Sequence, residues 1–127
     1  MTEIPENLRY TKEHEWARLE GNKVVVGITD FAQSELTDIV YVEMTKAGEH
    51  VDKGEEVAVV ESVKAVSEIL SPVSGRIVEY NTALEGSPEL INKDPYGDGW
   101  IVTMEMDDPG EFESLLSAKD YEGILEE

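Results

Sequence analysis

Gly54-Glu55-Glu56-Val57-Ala58-Val59-Val60-Glu61-Ser62-Val63-Lys64-Ala65-Val66-Ser67-Glu68-Ile69-Leu70-Ser71-Pro72-Val73-Ser74-Gly75 decides the fold of this chain. A glycine stands ten residues before one lysine, and another stands eleven residues after it. Between them run Val57, Val59, Val60, Val63, Val66, Ile69 and Leu70, a composition rich in β-branched residues and bounded by turn formers. The stretch reads as a β-hairpin over about 54–75 with Lys64 near its tip. A lone lysine on a rigid turn suits enzymatic acylation. The pattern therefore points to a carrier of a covalently attached arm and away from a catalyst.

More strands flank the hairpin. On its N-terminal side, Leu8-Arg9-Tyr10 and Glu15-Trp16-Ala17-Arg18-Leu19-Glu20 precede Gly21-Asn22 and Lys23-Val24-Val25-Val26-Gly27-Ile28. Gly and Asn tolerate positive φ, so Gly21-Asn22 predicts a tight turn between two strands. Thr29 or Asp30 can cap a short helix through Leu36, and Asp30 with Gln33 has capping-box spacing. Ile39–Met44 reads as a strand and Ala47-Gly48-Glu49 as a turn. On the C-terminal side, Gly75–Tyr80 and Trp100–Met106 read as strands, separated by a segment crowded with turn formers over 81–99. Asp108-Pro109-Gly110-Glu111 combines an N-cap, a proline at the first helical position and an acid at the third. A C-terminal helical segment follows over about 109–126, with Ser117 capping its last part. The expectation is one mainly β domain spanning 1–127, with a short internal helix and helices at the C-terminus.

The chain has 127 residues and a formal net charge of −19, from 29 acids against ten Lys and Arg. Phosphate neutralisation requires clustered basic residues, so nucleic acid is excluded as a partner, and anionic membranes are disfavoured in the same way. No run reaches the roughly 18–20 apolar residues of a membrane-spanning helix, and the N-terminus has neither a basic leader nor an apolar h-region. Cysteine is absent, so the protein itself brings no disulfide and no thiolate. A soluble, cytoplasmic monomer is expected. Seven lysines against 29 acids also fit adaptation to a high-salt cytoplasm.

Lys64 admits two readings. In one, it is a solvated residue that keeps a hairpin soluble. In the other, it is an acylation site: an exposed amine is protonated near neutrality and a poor nucleophile, so a modifying enzyme must deprotonate it and offer an activated acyl group. The carrier then supplies only access and fixed geometry, which short neighbours at Ser62 and Ala65 favour. Glu61, three residues earlier, offers a recognition charge. The two histidines, His14 and His50, lack the clustering of metal ligands, and a hydrogen-bonded structural use of His14 is expected. Trp16 and Trp100 read as core. Asn92–Tyr96 reads as a structured loop. No nucleophile–base pair and no phosphate loop is legible.

Glu61-Ser62-Val63-Lys64-Ala65, followed by Ser71-Pro72-Val73-Ser74-Gly75, resembles the lipoyl site of glycine cleavage system H proteins. His14-Glu15-Trp16, Gly27-Ile28-Thr29-Asp30-Phe31-Ala32-Gln33, Leu90-Ile91-Asn92-Lys93-Asp94-Pro95-Tyr96, Gly99-Trp100 and Glu113–Ala118 agree with that family in the same order. The likeness runs from about Leu8 to Tyr121.

The resemblance implies a lipoyl/biotinyl-type flattened β-barrel, a barrel-sandwich hybrid. It implies lipoate joined to Lys64 through an amide, with Glu61 and Ala65 read by the lipoylating enzyme. It implies a shuttle and not an enzyme: a PLP-dependent glycine decarboxylase loads an aminomethyl group, an aminomethyltransferase passes the one-carbon unit to tetrahydrofolate, and dihydrolipoyl dehydrogenase reoxidises the arm. A lipoate ligase or lipoyltransferase installs the cofactor. Glu15 and Glu68 match positions lining the family's arm cleft, whereas Glu13 stands where some relatives have a smaller polar residue. Three other readings remain. A biotin carrier usually has methionines beside its lysine, where this chain has Val63 and Ala65. An oxoacid-dehydrogenase lipoyl domain normally sits beside linkers and a catalytic domain. A lipoyl relay would hand the cofactor to enzymes of another pathway.

Overall fold

The computed structural model describes residues 2–126. Its elements are Arg9–Tyr10 (β1), Glu15–Glu20 (β2), Lys23–Ile28 (β3), Asp30–Leu36 (α1), Ile39–Met44 (β4), His50–Val51 (β5), Glu56–Ser62 (β6), Val66–Leu70 (β7), Gly75–Tyr80 (β8), Ala83–Gly86 (α2), Leu90–Lys93 (α3), Val102–Met106 (β9), Pro109–Glu113 (α4) and Ala118–Leu125 (α5). Two antiparallel sheets form. One has the order β1-β2-β3-β9-β8-β5, and the other has the order β4-β6-β7. Together they make the expected mainly β, flattened barrel-sandwich architecture, although hydrogen bonding does not close the barrel.

The near-continuous apolar run of β3 follows from its central place in the larger sheet. Successive side chains point to opposite faces, and both faces are covered. Val24, Val26 and Ile28 enter the main core with Ile39, Val42, Val60, Ile77 and Met104. Val25 enters a second cluster with Leu8, Tyr10, Trp16 and Tyr121. Fully burying a Val or Ile contributes about 1.5–3 kcal/mol, so a strand buried on both sides anchors the fold. The β2–β3 turn is the expected one: Glu20 pairs with Lys23, and Gly21 takes φ 66°.

Three local expectations are corrected. The α1 cap is Thr29, whose Oγ1 accepts from the Ala32 N–H. Asp30 is already helical, and Gln33 Nε2 donates to the Asp30 carboxylate at 2.7 Å, so the capping box at Asp30–Gln33 does not form. The turn-rich segment 81–99 is not plain loop. It holds the one-turn helices α2 and α3, closed by Asn81 Nδ2 donating to the carbonyls of Asp98 and Trp100. The last strand begins at Val102, because the Trp100 N–H turns back to the Gly97 carbonyl. The C-terminal caps stand as expected: Asp108 caps α4 with Pro109 behind it, and Ser117 caps α5. No helix of the described residues is long and apolar enough to cross a membrane.

Candidate functional site

The lysine tip is built by one serine. β6 and β7 pair as far as Glu61 opposite Val66. The Ser62 N–H then donates to the Ala65 carbonyl at 2.8 Å and closes a four-residue turn. Ser62 Oγ accepts from the N–H groups of Lys64 (3.2 Å) and Ala65 (2.9 Å). The backbone beneath Lys64 is thus fixed, while its side chain is exposed. Val63 and Val66, 69% and 64% exposed, frame it with apolar surface. Ala65 is exposed as well, and half-buried Glu61 lies opposite Tyr41 of β4.

The tip leans on the end of α1. Lys64 Nζ donates to the Glu35 carbonyl at 3.0 Å, and the Val63 N–H donates to the Asp38 carbonyl at 3.0 Å. A free helix C-terminus presents unpaired carbonyls and negative partial charge, so an ammonium group is favoured there. A cleft of about 290 Å³ opens beside this contact. Its walls include Glu35, Leu36 and Ala32 of α1, Ser67 of β7, and Glu13 and His14. Glu13 also lines a second cavity of about 250 Å³, where Glu15 sits with Thr11, Leu70 and Leu116.

Glu15 is 2% exposed. It accepts from Thr11 Oγ1 at 2.5 Å and from the Leu70 N–H at 3.2 Å. Burial pushes its pKa up to about 7, and the two hydrogen bonds only partly oppose that rise. Burial thus holds Glu15 toward its neutral form, and among the described residues it is the carboxyl whose pKa is clearly raised. Glu68, by contrast, is exposed and lines neither cavity. Next to Glu15, His14 takes φ 74°. Its Nδ1 lies 2.8 Å from Tyr121 Oη, which also lies 2.8 Å from Thr29 Oγ1. Burial lowers the His14 pKa and favours the neutral ring. This is the structural use expected of that histidine. Trp16 is fully buried and donates to the Pro95 carbonyl at 2.9 Å.

Three contributors escape the sequence reading. As sequence, Ser62 reads only as a small neighbour, yet its hydroxyl pins the tip. The carbonyls of Glu35 and Asp38 hold Lys64 and Val63, and a backbone group carries no sequence signal. Asn92, which reads as part of a loop, reaches from α3 to Thr37 and Ile39, on either side of Asp38.

A family model described as Glycine cleavage H-protein matches residues 8–127. A glycine cleavage system H protein of Anaeromyxobacter sp. (strain K) is 55% identical over 125 residues, covering 98% of each chain. One of Thermus thermophilus is 56% identical over 124 residues, covering 98% of this chain and 97% of its own. A crystal structure of a glycine cleavage system H protein from Mycobacterium marinum superposes with a TM-score of 0.88 at 39% identity, covering 98% of this chain and all of the other. With a presented lysine, a cleft beside it and likeness along its full length, the chain belongs to the glycine cleavage H-protein family.

Proposed function

We propose that residues 1–127 act as one domain carrying a lipoyl group on Lys64, and that the chain is the lipoyl carrier of a glycine cleavage system. Family membership makes it a carrier component and not a catalyst. The single observation that carries the assignment to Lys64 is its place on a hydrogen-bonded hairpin tip, exposed and beside a cleft. A lipoyl arm fits this site. The amine is accessible, its neighbours Ser62 and Ala65 are small, and among the described residues the hydrogen bond its side chain gives up is the one to the Glu35 carbonyl. When bound, the group supplies a dithiolane that takes up and gives up a one-carbon unit and two electrons.

The residues around it do the rest. Acylation removes the Lys64 charge and leaves one amide N–H for the Glu35 carbonyl. Glu61 and Ala65, flanking the lysine, are the groups that a lipoate ligase or lipoyltransferase reads. Glu13 lines both the cleft between α1 and β7 and the cavity that holds Glu15, and Glu15 is the carboxyl best suited to meet a cationic amine in a water-poor setting. Glu68, exposed on β7 and outside both cavities, is the second arm-cleft candidate. The partners on this reading are the PLP-dependent glycine decarboxylase, the aminomethyltransferase and dihydrolipoyl dehydrogenase. A cytoplasmic location and a monomeric carrier go with it.

The test is Lys64→Arg. Arginine keeps the charge and most of the stem but stays protonated and cannot be acylated. At an exposed tip the change costs about 0.5 kcal/mol or less. The variant should stay folded, gain no lipoyl mass with a lipoate ligase, and support no glycine–bicarbonate carbon exchange with the decarboxylase. Lipoyl mass on the variant would refute the site. A lipoylated parent that failed with a competent decarboxylase would favour service in another lipoyl pathway.

A further inference from the structure

The turn between α1 and β4 is strained, and one side chain from a distant element holds it. Thr37 ends α1 with φ 67° and ψ −148°, a conformation that disfavours β-branched side chains. Its N–H is satisfied by the Gln33 carbonyl at 2.9 Å. Asn92 of α3 brackets the next residue, Asp38. Its Nδ2 donates to the Thr37 carbonyl at 2.8 Å, and its Oδ1 accepts from the Ile39 N–H at 2.9 Å. Nδ2 also donates to Gln33 Oε1 at 2.9 Å. One carboxamide thus acts as a substitute strand partner across Asp38, using its acceptor and both donors.

The support beneath Asn92 is rigid. Its neighbour Ile91 is fully buried. Gly99 lies so close to α3 that a Cβ there would meet the Leu90 carbonyl oxygen at 2.7 Å and the Ile91 Cα at 2.8 Å. Beyond the strained turn lies the lysine. The Asp38 carbonyl accepts the Val63 N–H, and the Glu35 carbonyl accepts Lys64 Nζ. Both hydrogen bonds that tie Val63 and Lys64 to α1 and its turn pass through the segment that Asn92 clamps.

We propose that Asn92 is a positioning residue for Lys64: it fixes the Leu36–Asp38 turn so that the turn holds the hairpin tip at one height and angle for the acylating enzyme. This rests on the carrier reading of Lys64. Gln33 and Thr37 are the clamp's counterparts, and none of the three touches the amine through its side chain. The clamp also accounts for tolerance of the strained threonine: Asn92 holds its carbonyl from outside, while its N–H closes α1 on the Gln33 carbonyl.

The test separates placement from stability. Asn92→Ala removes all three hydrogen bonds, and Asn92→Ala with Thr37→Gly also removes the strain. The double variant should recover most of the lost melting temperature. It should still show about tenfold faster hydrogen exchange at the Val63 amide, and about tenfold lower kcat/KM for lipoylation by lipoate ligase with the change mainly in KM. Measurements well below both melting temperatures keep the chains folded. If Thr37→Gly restored exchange protection and lipoylation together with stability, Asn92 would be structural only and the proposal would fail. Val63 exchange does not depend on acylation, so it decides the clamp even for a parent that took up no lipoyl group. That second result would instead overturn the carrier reading.

Discussion

Glu15 is where residue chemistry and fold meet most directly. It is buried, it accepts hydrogen bonds from Thr11 and the Leu70 N–H, and its pKa rises from 4.5 to about 7. An acid with a raised folded-state pKa holds its proton when folded and releases it when unfolded, over the window from about 4.5 to 7. The unfolded state then binds fewer protons, so stability falls as pH rises through that window. The favourable contribution is complete below about pH 4.5 and gone by about pH 8. A shift of that size corresponds to roughly 3 kcal/mol over the full window, of which about 2 falls between about pH 5 and about pH 8. Glu15→Gln keeps a neutral side chain with one acceptor and cannot ionise. Urea unfolding at about pH 5 and about pH 8 should show the variant gaining on its parent by about 2 kcal/mol across the interval. A constant difference between the two proteins would mean that Glu15 is not protonated in the folded state near neutrality. The same group gives the cavity it lines a carboxyl whose charge responds to a nearby cation. In the sequence only the family resemblance singles out Glu15, because its burial on β2 depends on Leu70, 55 positions away.

At the scale of elements, close backbone approach matters as much as side-chain packing. Gly75 opens β8 between β5 and β9, paired with Val51 on one side and Met106 on the other. A Cβ there would sit 2.2 Å from the Glu105 carbonyl oxygen, a backbone atom that cannot swing aside. Gly75→Ala should therefore separate β8 from β9 locally and cost about 1–3 kcal/mol. The melting midpoint should drop by roughly 4–12 °C. Gly86→Ala is the control, since nothing lies within 4 Å of its added Cβ. Equal midpoints for the two variants would show that the sheet absorbs the contact. Elements whose determinants are local were legible: the Gly21-Asn22 turn, the β6–β7 hairpin, and the Asp108 and Ser117 caps. β5 was not, because two residues become a strand only by pairing with Arg76 and Gly75. Nor were α2 and α3, whose placement depends on Asn81 and Asn92 reaching chain far away in sequence. The start of α1 is ambiguous in the sequence, because Thr29 and Asp30 both have capping side chains, and the Thr29 hydroxyl takes the backbone N–H.

The whole molecule is dominated by its charge. A net charge of −19 on 127 residues leaves most carboxylates without a cation. Among the described residues Arg18 pairs with Glu20, and His50 Nε2 lies 2.6 Å from Asp107 Oδ2, both at the surface. Such exposed pairs contribute little, so the surface term is mainly self-repulsion, which opposes the compact state. Screening weakens it. The Debye length shrinks from about 30 Å at 0.01 M salt to about 10 Å at 0.1 M and about 3 Å at 1 M. Thermal stability should therefore rise with sodium chloride, and the shape of the rise identifies its cause. Relief of repulsion saturates once the Debye length falls below the spacing of surface charges, so most of the gain should come below about 0.5 M. Strengthened apolar burial instead keeps growing with concentration. The charge should also set partner encounter: an acidic carrier meets basic docking surfaces faster, and that advantage declines with salt. Stability and association rate should then move in opposite directions over the same salt range. Melting curves and stopped-flow binding to the lipoate ligase in one salt series would show both trends. A midpoint that stays flat from about 0.01 to about 0.5 M would mean that the folded surface spaces its carboxylates widely enough to tolerate the charge unscreened, and the repulsion argument would fail.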